Sequence, residues 1–284
     1  EEDCVQAMSD YLPGTRIEII NPALARGDVR SALFDFDGTL SLIRQGWQSV
    51  MIPLMVEVLR ETPQHEDDTA LEAAVVEYVT RSTGIQTIFQ MMELVEMVRA
   101  RGGEPRTAQE YKAEYLRRLW QHIRERVEGL KSGRLAADDL LVPGAREVLE
   151  GLRKRGVTCY LASGTDRPYV VDEAAALGLA PFFGPHIYGA LDDIHAYSKR
   201  QVIQRILREN HLQGPNLVTF GDGFVEIEDT KAVGGIAVGV ASDEVTRQGV
   251  DEWKRERLIQ AGADLIVPDF REHEALLGYL CGVD

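Results

Sequence analysis

The stretch SALFDFDGT, residues 31–39, decides the fold of this chain. It opens with small and apolar residues, and the carboxylates of Asp35 and Asp37 follow directly before Gly38. A short apolar run that stops at a glycine is typical of a buried parallel strand that leads into a loop. Residues two apart on a strand point to the same side, so the two aspartates can stand next to each other. We therefore predict a buried strand that carries a pair of carboxylates at its carboxyl end.

Beyond Pro143 the sequence alternates between helical and extended patterns. Helical and strand-like segments follow one another from AREVLEGLRKRG at 145–156 and VTCYLASG at 157–164 to ADLIVPD at 263–269 and EHEALLGYL at 272–280. Strands that alternate with helices form a parallel sheet with helices on both faces. We therefore predict an α/β fold with a doubly wound, Rossmann-like parallel sheet as its core.

A different pattern occupies the stretch between Trp47 and about Gly133. Four segments there carry apolar residues at helical spacing, and none of them looks like a strand. Thr107 followed by Glu110 has the spacing of a capping box and predicts the start of the last helix. We predict a helical insert within the core, and an irregular segment before the first strand because prolines and glycines punctuate it. The predicted division is 1–30 for the irregular segment, 46–133 for the insert, and 31–45 with 134–284 for the core.

The composition restricts the partners and the compartment. A formal net charge of −15 repels nucleic-acid backbones and anionic membranes, so we expect neither as a partner. No stretch offers the ~18 unbroken apolar residues of a membrane span, and EEDCVQAMSD at 1–10 lacks the features of a signal peptide. Cys4, Cys159 and Cys281 are odd in number and far apart, which favours reduced thiols and a cytoplasmic location. The sequence leaves the oligomeric state open.

Three of the predicted strands end in residues suited to phosphate chemistry. These ends read Asp35-Phe36-Asp37-Gly38-Thr39, Ala162-Ser163-Gly164-Thr165 and Gly221-Asp222-Gly223, and Lys199 begins the helix before the third strand. Alone, each loop also fits an ordinary polar turn or helix cap, and a lone lysine is usually a solvated surface residue. In a doubly wound sheet, however, ligands bind beyond the carboxyl ends of the strands. The joint placement of these residues at one edge of the sheet therefore predicts a phosphate site.

The sequence here resembles the haloacid dehalogenase-like (HAD) phosphatases, whose four signature motifs look like DFDGT, ASG, Lys199 and GDGFVEIEDTKAVGG. The resemblance covers about residues 31–45 and 140–284. The helical insert matches only in position and kind, and an insert at this place is what the family calls a type 1 cap. The resemblance implies Mg²⁺-dependent hydrolysis of a small phosphomonoester, such as a sugar phosphate or a phosphoglycolate-like acid, through an aspartyl-phosphate. The expected partner is a small phosphorylated metabolite.

The resemblance also implies the roles of individual residues. Asp35 would be the nucleophile, and Asp37 would protonate the leaving alcohol and then deprotonate the attacking water. The carboxylates of Asp35 and Asp222 and the backbone carbonyl of Asp37 would bind Mg²⁺, which prefers oxygen ligands. Thr39 would brace Asp37. The family's last motif usually has a second Asp four residues after the first; here that position is Glu226, so its contact with the metal stays open. The groups that would hold the transferring phosphoryl oxygens are Ser163, the Gly164 amide and Lys199.

The insert should close over the site and exclude water, as lids do. Its loop STGIQT at 82–87 would then select the substrate, with Thr83 and Gln86 as candidates, although an ordinary interhelical turn also explains this loop. Arg44 lies where the first hinge is expected, and it is a candidate either for substrate contact or for a surface charge. The arginines between residues 117 and 126 alternate with glutamates, which is typical of a solvated helical face.

Two other functions share this core. A phosphomutase of the β-phosphoglucomutase type has the same motifs and a similar cap, and would return the phosphoryl group to a second hydroxyl. A non-catalytic regulatory domain on the same fold is the other alternative, but it would have no need of Asp35, Asp37, Lys199 and Asp222 together. Dehalogenases proper lack an Asp at the position of Asp37, and transporting ATPases have Lys in place of Phe36, so neither fits.

Overall fold

Among the residues that the structure describes, eight strands form one central sheet. The computed structural model describes residues 10–191 and 197–282. The strands are β1 (Asp10–Tyr11), β2 (Glu18–Ile19), β3 (Ser31–Phe34), β4 (Thr158–Asp166), β5 (Ile187–Ala190), β6 (Leu217–Gly221), β7 (Ile236–Val240) and β8 (Leu265–Val267). Across the sheet they follow the order β1-β2-β8-β7-β6-β3-β4-β5. From β8 to β5 in this order all neighbours pair in parallel, so the predicted doubly wound α/β core is confirmed.

Helices flank this sheet, and the predicted helical cap is inserted after β3. The insert contains α1 (Gln48–Arg60), α2 (Asp68–Arg81), α3 (Thr87–Ala100) and α4 (Ala108–Lys131), the last of which begins with the predicted capping box. The other helices are α5 (Ala145–Lys154), α6 (Arg167–Ala176), α7 (Ala180–Phe183), α8 (Lys199–Glu209), α9 (Phe224–Lys231), α10 (Glu252–Gln260) and α11 (His273–Cys281). Short 3-10 helices lie at Ala137–Leu140 and Gly214–Asn216. Within the described ranges, the search for a helix long and apolar enough to cross a membrane finds none.

The apolar composition of β3 places it in the middle of the sheet. The strand is buried throughout and pairs with β4 on one side and with β6 on the other. The ring of Phe34 stacks on that of Phe220 with their centroids 4.6 Å apart. The next amide, that of Asp35, donates a hydrogen bond to the carbonyl of Phe220 at 2.9 Å. Because the three strands run in parallel register, their carboxyl ends meet at one edge of the sheet, where the sequence predicts the site.

The segment before β3 is more regular than predicted. β1 and β2 pair antiparallel, and β2 also pairs antiparallel with β8. Glu18 of β2 is buried, and its carboxylate accepts hydrogen bonds from Arg255 of α10 at 2.5 and 2.6 Å. The prediction of an irregular segment is therefore wrong for β1 and β2, because strands of two residues are too short to show a periodicity in the sequence. The part of that prediction that concerns residues 1–9 lies outside the described residues.

The insert is held against the core from two sides. Lys112 and Lys131 of α4 pair with Asp166 and Asp172 of the core at 2.5 and 2.6 Å, respectively. On the other side, Arg257 of α10 donates hydrogen bonds through its guanidinium group to two backbone carbonyls at the end of α2. These contacts keep the insert close to the edge of the sheet where the signature residues lie.

Candidate active site

A cavity of about 420 Å³ lies between the insert and the carboxyl edge of the sheet. On the core side, its lining includes Asp35, Asp37, Arg44, Ser163, Gly164, Lys199 and Asp222. On the insert side, it includes Thr83, Gly84, Ile85, Tyr115, Leu119 and His122. Most of the residues that the sequence singles out therefore meet around one cavity.

Asp35 and Lys199 form a buried ion pair in this cavity. The Nζ atom of Lys199 lies 2.9 Å from Oδ1 of Asp35 and 2.8 Å from Oε2 of Glu226. Burial alone would lower the pKa of Lys199, but the two carboxylates outweigh it and raise this pKa above its ordinary value. Lys199 therefore stays charged, and it is not a solvated surface lysine.

Glu226 reaches its partners from the first turn of α9. Its Oε1 accepts a hydrogen bond from the amide of Gly223 at 2.8 Å, and its Oε2 pairs with Lys199. The bond to Gly223 caps the helix in the manner of a Glu at the third helical position. Both oxygens of Glu226 thus have protein donors, so this residue orients Lys199 whether or not it also touches a metal.

A second lysine, Lys254 of α10, holds the carboxylate of Asp222. Its Nζ atom lies 2.9 Å from Oδ2 of Asp222 and 2.8 Å from Oε1 of Glu244. Burial would lower the pKa of Lys254, but Asp222 and Glu244 raise it above its ordinary value, so the residue is a cation. The site therefore contains two lysines, each of which bridges two carboxylates.

The hydroxyl of Thr39 takes a different partner from the one expected. It donates a hydrogen bond to Oδ1 of Asp222 at 3.4 Å, whereas the family resemblance implied a contact with Asp37. The chain turns at Gly38, which has a φ of +76°, and a Cβ there would lie 2.2 Å from Oδ2 of Asp222. This close approach brings the loop after β3 to Asp222, and only glycine permits it.

The carboxylates in the site fit a divalent metal. Asp35, Asp222 and Glu226 each place one carboxylate oxygen within 4.8 Å of the others. Burial raises the pKa of Asp35 well above its usual range, although Lys199 opposes this effect and Glu226 and Asp222 add to it. A divalent cation would offset these converging negative charges, and carboxylate oxygens are ligands that Mg²⁺ prefers.

Asp37 uses one carboxylate oxygen for hydrogen bonds and leaves the other without one. Its Oδ2 accepts hydrogen bonds from the hydroxyls of Thr165 at 2.9 Å and Ser163 at 3.5 Å. Its Oδ1 is buried, has no hydrogen-bond partner among the described residues, and lies 3.8 Å from Nε of Arg44. Burial raises the pKa of Asp37 to about 6, against the opposing effect of the Arg44 charge. A carboxyl group with this pKa can exchange a proton near neutral pH, and Oδ1 is the oxygen left to do so.

Ser163 and Gly164 belong to the part of β4 that faces the insert. The carbonyl of Ser163 accepts a hydrogen bond from the hydroxyl of Tyr197 at 2.7 Å, and its side-chain oxygen accepts one from the amide of Thr165 at 3.0 Å. A Cβ on Gly164 would lie 3.2 Å from the carbonyl of Ile85 in the insert. A side chain at this position would therefore crowd the loop that covers the cavity.

Arg44 is buried beside the cavity. Its Nε and Nη2 atoms donate hydrogen bonds to the two carboxylate oxygens of Glu173 in α6, at 3.1 and 2.6 Å. Its guanidinium carbon lies 5.7 Å from the ring centroid of Tyr169. The alternative of a surface charge is therefore wrong, while contact with the substrate stays a prediction.

The loop at 82–87 lies against the core, where a lid loop is expected. Thr83 lines the cavity, and a Cβ on Gly84 would lie only 3.2 Å from the Cα atom of Gly223. Gln86 is not among the residues that line the cavity. Its side-chain amide nitrogen instead donates a hydrogen bond to the carbonyl of Tyr197 at 3.1 Å. Of the two predicted specificity residues, Thr83 lines the cavity and Gln86 ties the loop to the core.

The arginines of α4 do not all lie on a solvated face. Arg124 is exposed, as predicted. Arg126 is half-buried, and its Nη1 atom donates hydrogen bonds to the carbonyls of Ile43 and Gln45, both at 2.8 Å. One turn earlier, Nε2 of His122 lies 3.1 Å from the same carbonyl of Gln45. The prediction is therefore wrong for Arg126, which ties α4 to the connection between β3 and α1.

The model of the haloacid dehalogenase-like hydrolases matches residues 29–234. The chain belongs to this family. The matched range of this HAD-like hydrolase contains Asp35, Lys199 and Asp222, and it ends before α10, which carries Lys254.

Solved structures share the fold of this hydrolase. A structure reported as a predicted phosphoglycolate phosphatase from Haemophilus somnus 129PT is 17% identical, with a TM-score of 0.59, over 89% of this chain and 99% of that chain. A HAD family hydrolase from Deinococcus radiodurans R1, with bound phosphate and sodium, is 18% identical, with a TM-score of 0.53, over 89% of this chain and 96% of that chain. A β-phosphoglucomutase from Clostridium difficile is 12% identical, with a TM-score of 0.53, over 82% of this chain and 98% of that chain. No curated protein sequence matches this chain significantly.

Several residues around the cavity of this HAD-like hydrolase were missed by sequence reasoning. Thr165 closes the quoted stretch Ala162-Ser163-Gly164-Thr165, but no role was predicted for it, and only the structure shows its hydrogen bond to Asp37. Glu173, Glu244 and Lys254 lie on helices or loops outside the signature motifs. Nothing in their local sequence distinguishes them from exposed charged residues, and only the fold brings them to the site.

Proposed function

We propose that this HAD-like hydrolase is a Mg²⁺-dependent phosphatase that hydrolyses a small phosphomonoester through an aspartyl-phosphate on Asp35. The observation that carries the proposal is the buried ion pair of Asp35 and Lys199 next to the carboxylates of Asp222 and Glu226. A phosphate ester repels nucleophiles through its own negative charge, so a carboxylate can attack only where cations offset that charge. When bound, Mg²⁺ supplies such charge, with Asp35, Asp222 and the backbone carbonyl of Asp37 as its protein ligands.

The first step is an attack by a carboxylate oxygen of Asp35 on phosphorus. The bond between this oxygen and phosphorus forms while the bond to the ester oxygen breaks, and the ester oxygen leaves with the electron pair. Lys199, within 2.9 Å of Asp35, keeps the carboxylate oriented and offsets negative charge that develops on the phosphoryl group. The Ser163 hydroxyl and the Gly164 amide line the same cavity and would donate to the phosphoryl oxygens.

Asp37 moves the proton in both steps. Its Oδ1, which has no hydrogen-bond partner among the described residues, gives a proton to the leaving alkoxide. In the second step the resulting carboxylate takes a proton from water, the water oxygen bonds to phosphorus, and Asp35 leaves as a free carboxylate. The raised pKa of Asp37, about 6, supports both roles near neutral pH.

The cavity supports a small substrate. Its volume of about 420 Å³ is in the range of sites for small molecules. A phosphorylated metabolite such as a sugar phosphate or a phosphoglycolate-like acid belongs to this size class. The proposal includes a cytoplasmic location, which rests on the cysteine pattern, and no nucleic-acid or membrane partner, which rests on the net charge of −15.

The proposal is tested by the release of inorganic phosphate. The full chain is incubated with p-nitrophenyl phosphate and with a panel of phosphorylated metabolites, in the presence of Mg²⁺ or of EDTA. We expect phosphate release that requires Mg²⁺ and that falls to background in Asp35→Asn. Asp68→Asn is the matched control, because Asp68 lies on the insert with its side chain 69% exposed.

Three outcomes would contradict the proposal. Release that survives EDTA and Asp35→Asn would show a different nucleophile or a contaminant. Isomerisation of a sugar phosphate without release of inorganic phosphate would assign the protein as a phosphomutase instead. No reaction with any compound, combined with no adduct of Asp35 with beryllium trifluoride, would favour a non-catalytic binding domain.

A further inference from the structure

Lys254 contacts Asp222 although it lies beyond the family's signature motifs. Its ammonium group bridges Oδ2 of Asp222 and Oε1 of Glu244, at 2.9 and 2.8 Å. The residue is only 7% exposed, and it lines the same cavity as Asp35. An interaction this close to the carboxylate cluster affects how Asp222 can bind a metal.

The position of Lys254 is fixed by the fold. Lys254 lies in the first turn of α10, and its backbone amide donates a hydrogen bond to Oδ1 of Asp251 at 3.0 Å. The adjacent Arg255 pairs with the buried Glu18 of β2, which ties α10 to the edge of the sheet. Gly38 leaves room for the bridge, because a Cβ there would lie 2.2 Å from Oδ2 of Asp222 and 3.0 Å from Oε1 of Glu244. The ammonium group is therefore held on one side of Asp222.

This contact leaves Asp222 with one oxygen for a metal. Oδ2 is engaged by the charged Lys254, whereas Oδ1 receives only the long hydrogen bond of 3.4 Å from Thr39 among the described residues. A carboxylate in this arrangement binds a metal through a single oxygen. Lys199 engages Asp35 in the same way, through Oδ1 at 2.9 Å. For Asp222, which has no role as nucleophile, this leaves Oδ1 as the oxygen open to a metal.

The number of oxygens matters because divalent metals differ in the ligands they accept. Mg²⁺ takes six ligands in nearly octahedral geometry at about 2.0–2.1 Å, so one oxygen from each carboxylate suits it. Ca²⁺ takes about six to eight ligands at about 2.3–2.6 Å and readily binds both oxygens of a carboxylate. A device that withholds one oxygen of Asp222 therefore disfavours Ca²⁺ more than Mg²⁺.

We propose that Lys254 is a positioning residue that favours Mg²⁺ over Ca²⁺ by keeping Asp222 a single-oxygen ligand. This inference rests on the proposed function, because it takes Asp222 as a metal ligand. The charge of Lys254 repels both ions equally, since both are divalent. The preference for Mg²⁺ over Ca²⁺ comes from Oδ2 of Asp222, which Lys254 occupies. It is measured by the ratio of the Ca²⁺ dissociation constant to the Mg²⁺ dissociation constant.

The test is a calorimetric titration of the metal-free full chain with Mg²⁺ and, separately, with Ca²⁺. We expect Lys254→Met to lower the ratio of the Ca²⁺ to the Mg²⁺ dissociation constant by roughly tenfold, the scale of effects from residues that orient metal ligands. Glu244→Gln should also lower this ratio, because the ammonium of Lys254 loses the charge of one of its two carboxylate partners and is held less firmly in place. Lys112→Met is the matched control, since Lys112 is also a lysine paired with an aspartate, but it is only half-buried and lies at the interface between the insert and the core.

Circular dichroism shows whether each variant is folded. If Lys254→Met does not fold, the ratio measured for Glu244→Gln decides the test. A ratio that falls in the site variants and stays unchanged in Lys112→Met supports the inference. An unchanged ratio in the folded site variants, with normal Mg²⁺ binding by the wild type, overturns the inference and leaves the proposed phosphatase function intact. A wild-type chain that binds neither ion overturns both.

Discussion

At the scale of single residues, the two oxygens of each carboxylate in the site have different partners. Asp37 engages Thr165 through Oδ2 and leaves Oδ1 without a hydrogen bond among the described residues. Asp222 is held by Lys254 through Oδ2 and has only a long contact with Thr39 at Oδ1. Because one oxygen fixes the orientation of the side chain, the other is held in a defined direction without a strong hydrogen bond of its own. This division lets a short side chain be both rigid and available for chemistry.

Asp37→Asn should lower kcat by at least roughly 10² for esters of simple alcohols, because the amide is far too weak an acid to give a proton to the alkoxide. The loss should be smaller for p-nitrophenyl phosphate, whose leaving group is stable as an anion. The substitution retains an acceptor for the Thr165 hydroxyl, so the loop after β3 keeps its hydrogen bond. The measurement is kcat with both substrates; an equal rate of the variant and the wild type on an alkyl phosphate would remove Asp37 from the mechanism.

The residues that could be predicted from the sequence are those that directly follow a strand. Asp35, Ser163 and Asp222 each come after an apolar run, and parallel strands bring such positions together. The contact of Thr39 could not be predicted, because it depends on how closely Gly38 approaches Asp222. Polar residues such as these are placed by backbone geometry that no local pattern of the sequence records.

At the scale of elements, α4 links the insert to the rest of the molecule. The helix has 24 residues, and its side chains pair with the core near both ends, through Lys112 and Lys131. Between these points, Tyr115 and Leu119 line the cavity, and Arg126 binds the carbonyls that follow the loop after β3. A movement of α4 would therefore change the cavity wall and the chain connection at the same time.

Arg126→Met should lower the free energy of unfolding by about 2 kcal/mol, because two carbonyls lose hydrogen bonds from a charged donor. Arg124→Met is the control on the same helix, since that side chain is 57% exposed and should change the stability by less than about 0.5 kcal/mol. Urea unfolding of both variants gives the comparison. Equal stabilities of the two variants would show that Arg126 contributes no more than an exposed arginine.

Elements were predictable when they were long enough to show a period. The helices of the insert and the alternating elements after Pro143 were found from the sequence because their apolar residues repeat over several turns or strands. β1 and β2 have two residues each and offer no repeat. Their pairing is decided by the open edge of β8, which lies more than two hundred residues away in the sequence.

At the scale of the whole molecule, the net charge of −15 contrasts with the positive groups near the cavity. Lys199, Lys254 and Arg44 are all buried, and each is paired with one or more carboxylates. Buried carboxylates without enough counter-charge destabilise a folded chain, and a bound cation relieves this repulsion. Metal binding and the stability of the fold should therefore be linked.

Mg²⁺ at about 100 times its dissociation constant should stabilise the fold by about 2.7 kcal/mol, which corresponds to a rise in Tm of roughly 5 °C for a chain of 284 residues. Asp222→Asn should lose most of this rise, because it removes one of the converging carboxylates. Thermal unfolding in Mg²⁺, and in NaCl of equal ionic strength, separates specific binding from screening. The same Tm in both salts would show that the cluster does not bind Mg²⁺.

The ion pair of Glu18 and Arg255 has a consequence for anyone who shortens this protein. The range matched by the family model begins at residue 29, so a version shortened only at its N-terminus to that residue would lack β2. Arg255 would then lose its buried partner, and the edge of β8 would be open to pairing with other chains. Aggregation, and a weakened hold on the neighbouring Lys254, would follow from removing a strand that lies outside the range matched by the family model.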